Sequence, residues 1–67
     1  MSTIRHNATV LAEKLAAQIA SGAYQQASID LRAYDKGFAL AALAALPDMV
    51  PPNAFRLFAA QLMDSLW

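Results

Sequence analysis

Phe38-Ala39-Leu40-Ala41-Ala42-Leu43-Ala44-Ala45-Leu46 is apolar at all nine positions and is stopped at once by Pro47. A surface helix alternates apolar and polar faces, so an unbroken apolar run predicts a helix covered on all sides. In a chain of 67 residues there is little else to cover it, which makes burial by a partner the first question. The run is about half of the roughly 20 residues needed to span a bilayer. Pro47 and Asp48 then end it, so the reading is a buried helix in a soluble protein.

Upstream of the run, Tyr24, Ala27, Leu31, Tyr34 and Phe38 are spaced three, four, three and four, which is a heptad seam. The opposite side carries Gln25, Ser28, Arg32, Asp35 and Lys36, so this helix is expected to have one packed face and one wet face. Gly37 divides the evidence. As the residue after a helix end it would separate a helix over 23–36 from one over 38–46, and inside a helix it would cost about 1 kcal/mol against Ala. A break or bend at Gly37 is expected, whereas the seam reaching Phe38 favours a continuous helix over 23–46.

Nearer the amino end, Ile4, Ala8, Leu11, Leu15 and Ile19 lie along one side of a helix over 3–20. Ser2 or Thr3 suits its start, with Asn7 as an alternative cap, and Gly22 suits its end. Ala8, Ala12, Ala16 and Ala20 form a row of small side chains that would let another helix come close. With only a short turn at Ser21 and Gly22, this helix and the next are expected to form an αα-hairpin. The string Gly22-Ala23-Tyr24-Gln25-Gln26-Ala27 resembles the GxYxxA turn of tetratricopeptide repeats. That resemblance implies a glycine closing one helix and a tyrosine and alanine packing the next. It covers one turn with no second copy 34 residues away, and implies no peptide-binding function.

Downstream, Pro47, Pro51 and Pro52 mark an interhelix loop, and Asn53 is placed to cap a last helix over 54–66. Phe55, Phe58, Ala59, Leu62 and Leu66 share one side of that helix, while Leu57 and Met63 fall off the stripe. Its apolar arc is wide enough to predict contact on two sides. The expected fold is therefore all-α: one domain over residues 1–67, a small bundle of three to four helices. A homodimer in which the central and last helices share a core is the favoured form.

Composition narrows the function classes. A chain this small buries only about 60% of its unfolded surface, yet 58% of its residues are apolar. Sixteen of these are Ala, which tolerates exposure, but the remaining bulky set is still generous for one small core. There is no Cys and a single His6, so neither a disulfide nor a zinc site of ordinary composition is expected, and no cofactor. A cysteine-free chain is compatible with the cytoplasm. Glu13 and Lys14 interrupt the amino-terminal apolar stretch and speak against an export signal.

Five acidic and five basic side chains cancel without runs of either sign, which disfavours nucleic acid and acidic membrane as partners. No serine sits in a GxSxG elbow, His6 has no Asp or Cys near it in sequence, and two glycines make no familiar phosphate loop. The chain is expected not to be an enzyme. The favoured function is a protein-binding module, a regulator, adaptor or inhibitor acting as a homodimer. Its candidate interface residues are Phe38, Leu43, Phe55, Phe58, Met63 and Trp67, the last either a lid or an anchor for a second chain. The alternative is a small DNA-binding regulator presenting Arg32 and Lys36 from the helix over 23–36.

Overall fold

The computed structural model describes residues 3–64 and is all-α. Helix α1 spans Thr3–Ala20, α2 Tyr24–Arg32, α3 Lys36–Ala45 and α4 Pro52–Asp64. A 3-10 turn over Leu46–Asp48 follows α3. The expected end of the last helix at 65–66 lies outside the described residues. The radius of gyration, 10.9 Å, is that of a compact chain of this length, about 11 Å. Among the described residues no helix is long and apolar enough to cross a membrane.

The first turn is as the sequence predicts. Gly22 adopts φ +84, which glycine takes without the clash of a Cβ. Its N–H donates to the Ile19 carbonyl at 3.0 Å, and the Ala23 N–H donates to the Gln18 carbonyl at 2.9 Å. These are the two bonds of a Schellman motif, and they satisfy carbonyls that α1 would otherwise leave open. Tyr24 and Ala27 then pack into the core, the roles implied by the repeat-like turn. Across the hairpin, Gln18 Nε2 donates to the Asp30 carboxylate at 2.7 Å, and Gln26 Nε2 donates to its other oxygen at 3.0 Å. Gln18, then Gln26, with Lys14 nearby, hold this carboxyl below its ordinary range against a smaller effect of burial.

The second turn differs from expectation. α2 stops at Arg32 rather than residue 36, and α3 starts at Lys36 rather than Phe38. The helix over 23–46 is therefore broken at Ala33–Asp35, before Gly37. The cause is Asp35, which sits in extended backbone (φ −53, ψ 141) and caps α3. Its Oδ2 accepts from the Gly37 N–H at 3.1 Å and the Phe38 N–H at 3.4 Å. A helix leaves its first N–H groups without partners, and a short carboxylate at this position supplies one. Gly37 is consequently a first-turn residue of α3, tucked against the cap, not a terminator.

Pro47 ends α3 as predicted. It has no N–H to extend the ladder, and the chain tightens so that the Met49 N–H donates to the Leu46 carbonyl at 2.8 Å. α4 begins two residues earlier than expected. The Pro51 carbonyl accepts from the Phe55 N–H at 2.9 Å, placing Pro52 at the first helical position, where its fixed φ suits the helix and its missing N–H costs nothing. Asn53 is thus inside the helix and is not its cap.

The long α1 is the spine. It packs most extensively along α3, and also meets α2, α4 and the 3-10 turn. Ala8 and Ala12 of α1 and Ala39 and Ala42 of α3 are all buried, and such small side chains allow close approach of two helices. Ala16 is half-buried and Ala20 exposed, so the alanine row works over its first half. α2 lies between α1 and α4, while α3 and α4 bring no Cα atoms within 8 Å of each other. α1 is therefore the main neighbour of α3, while α4 meets the 3-10 turn that begins at Leu46. Ser28, expected on a wet face, is fully buried because α2 is packed by both α1 and α4.

The run itself is not covered on all sides. Ala39, Ala42 and Leu46 are buried, but Ala41 and Ala44 are exposed and Leu40 is 48% exposed. Alanine makes this inexpensive, since a methyl group offers little apolar area to water.

Replacing Asp35 by Ala is expected to lower stability by about 1 kcal/mol, while Asn, an equally good cap, should hold most of it. Urea unfolding followed by circular dichroism measures both. An unchanged midpoint for Asp35→Ala would show that the side chain does not hold the break.

Candidate functional site

The cap that separates α2 from α3 also builds the most distinctive surface feature. Tyr34, immediately before Asp35, stacks on Phe38 in the first turn of α3, with ring centroids 5.3 Å apart and planes inclined by 40°. This is close to a hydrophobic staple, in which the residue before the cap packs back on the opening turns of the helix. The pair faces α1, and together they line an open groove of about 360 Å³ whose other walls are Asn7, Val10, Leu11 and Lys14. Leu11 is buried at its floor, while Val10 is 50% and Tyr34 44% exposed. Its chemistry is that of an apolar slot with an amide and an ammonium at the rim.

A second groove, about 390 Å³, opens where the 3-10 turn meets the start of α4. Pro47, Pro52, Phe55, Arg56 and Ala59 line it. The lack of contact between the α3 and α4 backbones leaves this seam open.

The candidate interface residues divide. Phe38 and Phe55 are half-buried, each in the wall of a groove, and Leu43 is half-buried against the core. Phe58 is fully buried within the single chain: α4 turns it inward between its neighbours, and it is among the largest enclosed side chains. Met63 is 76% exposed, more than any other large apolar residue described. Trp67 lies outside the described residues. Val10, Ile29, Leu40 and Leu57 are exposed as well, outside the set that the sequence nominates, as is Tyr34, an aromatic of the type that dominates interfaces. For Leu57 a signal existed, its position off the main stripe of α4. For Val10, one position from the buried Leu11, helical spacing alone carried none.

The two nucleic-acid candidates do not share a helix. Arg32 is the last residue of α2 and Lys36 the first of α3, with the Asp35-capped turn between them. Arg32 Nε donates to Ser28 Oγ at 3.3 Å. The expected recognition helix over 23–36, with both cations one turn apart on its outer face, is thus not formed. His6 is exposed on α1, and among the described residues no three His, Cys, Asp or Glu side chains gather as a metal site would require.

Neither a family model, nor a curated protein, nor a solved structure matches this chain.

Core and surface assignments in α4 have opposite consequences. Phe58→Ala should cost about 3–5 kcal/mol, a large share of the roughly 3–10 kcal/mol available to a domain of this size. Met63→Ala should stay within about 0.5 kcal/mol. Helicity and urea midpoints of the two variants check this, and a mild effect at Phe58 would place that ring outside the core.

Proposed function

We propose that this chain is a non-enzymatic helical protein-binding module, acting in the cytoplasm as a homodimeric regulator, adaptor or inhibitor of a partner protein. The observation that carries the reading is a surplus of apolar surface. Among the described residues, thirteen apolar side chains, twelve from the four helices and the 3-10 turn plus Val50 of the loop that follows, already form a closed core. Beyond it, among the described residues, six large apolar side chains remain between 44% and 76% exposed. Single exposed residues of this kind are ordinary; so many on a chain of 67 residues amount to a surface fitted for contact.

The type of residue supports the same reading. Tyr34 and Phe38 form an aromatic pair on a groove wall, and desolvated aromatics contribute heavily to interface affinity. With charges that cancel overall, recognition rests on shape and apolar contact more than on long-range steering. In this reading the partner inserts an apolar side chain between Val10 and Tyr34, with Lys14 and Asn7 at the rim supplying polar contacts.

The test compares the intact chain with a Tyr34→Asp variant, whose helicity is first matched by circular dichroism. A protein retained from native-host lysate by the chain and released by the substitution is the expected result. Equal retention by both would remove the groove from the account. Submicromolar binding to random DNA with a steep salt dependence would replace it with the regulator reading.

A further inference from the structure

The outer face of α4 is chemically self-complementary. Asn53, Arg56, Leu57, Ala60, Met63 and Asp64 are all exposed, and their spacing places them on one side of the helix, centred on Ala60. Arg56 and Asp64, the two charged residues of α4, stand four residues before and four after that centre. Leu57 and Met63 stand three before and three after, and they are the two most exposed large apolar side chains described, at 58% and 76%. A face that reads cation and leucine on one side of its midpoint, and methionine and anion on the other, has the form an isologous two-fold contact requires.

The geometry points to this face as the site where a second copy of the chain docks, α4 against α4 in antiparallel orientation with the two-fold axis at Ala60. The inference rests on the homodimer reading above and specifies its interface. In that register each Arg56 comes level with Asp64 of the other copy, about 6 Å from the axis, and Leu57 comes level with Met63. A parallel pair would instead set Arg56 beside Arg56 and Asp64 beside Asp64. Ala60 at the crossing point lets the backbones approach closely.

The helix dipole favours the same arrangement. Asp64 lies toward the carboxyl end of α4, with no basic residue in that last turn, and an anion is disfavoured there. In the antiparallel pair it lies level with the Arg56 cation of the other copy, in the amino-terminal half of that helix. Docking in trans thus relieves an electrostatic mismatch that each chain carries alone. Two short helices make a smaller contact than a standard stable interface, so the dimer forms in the micromolar range.

Sedimentation equilibrium of the full chain, from micromolar to submillimolar concentration, tests this. Because the substituted positions are exposed, helicity should match wild type in every variant. Arg56→Asp and Asp64→Arg, made singly, should each weaken the dimer about tenfold through two like-charge contacts. Their combination should return it to within about threefold of wild type, and added salt should shrink all these differences. Leu57→Glu with Met63→Glu should abolish dimers over the range. A dimer unaffected by that pair overturns the α4 assignment and leaves the homodimer reading standing. Failure of the charge exchange to restore association overturns the antiparallel register. The mass of a single chain at every concentration overturns both the interface and the homodimer reading.

Discussion

The carboxylate of Asp35, accepting from two first-turn N–H groups of α3, is the constraint on which the architecture depends. Without a break there, residues 23–46 would form a helix about 36 Å long, longer than the 32 Å greatest extent of the molecule. Such a rod could not return α3 along α1. The break lets α3 lie on α1 while α2 packs between α1 and α4. A cap of this kind is worth about 1 kcal/mol, less than the roughly 2 kcal/mol gained by burying one leucine such as Leu46. The cap therefore positions the break, and the burial it permits supplies most of the stabilisation.

That architecture also produces the surplus surface. The Cα trace is 32 × 23 × 15 Å, a flattened shape in which α3 and α4 each pack on the α1–α2 hairpin and bring no Cα atoms within 8 Å of each other. A thin body has few fully enclosed positions and many on its two broad faces. Leu40 on α3 and Leu57 and Met63 on α4 are left outside by this arrangement, not by a deficit in the core, whose innermost residues Leu15, Leu31, Leu46 and Phe58 are completely enclosed. The groove beside Tyr34 and the outer face of α4 are separate surfaces, so a chain paired through one keeps the other for a different contact.

Much of the fold was legible because local chemistry and periodicity agreed. The Gly22 end of α1 and the Pro47 stop each rest on a residue with one strong backbone preference. The second turn was not legible because two signals conflicted. Tyr24, Ala27 and Leu31 are a true helical seam, but Tyr34 and Phe38 continue its spacing across a turn, where their rings stack on each other. Periodicity outweighed the capping preference of Asp35, and Gly37 drew the break two residues late. In the apolar run, Ala41 and Ala44 stand in water at little cost, so an unbroken apolar pattern does not require cover on every side. The candidate site was less legible still, since whether Val10, Leu57 or Phe58 faces outward depends on which helices become neighbours. Sequence spacing defines a helix face but does not state what lies against it.

The break at Asp35 is the claim from which the helix order, the aromatic pair and the open α3–α4 seam all follow. Backbone NMR chemical shifts of the intact chain across residues 24–45 test it most directly. The account predicts helical Cα shifts over Tyr24–Arg32 and Lys36–Ala45, with an extended-backbone value at Asp35 and slowed exchange at the Gly37 and Phe38 amides. Uninterrupted helical shifts from Tyr24 through Ala45 would contradict it.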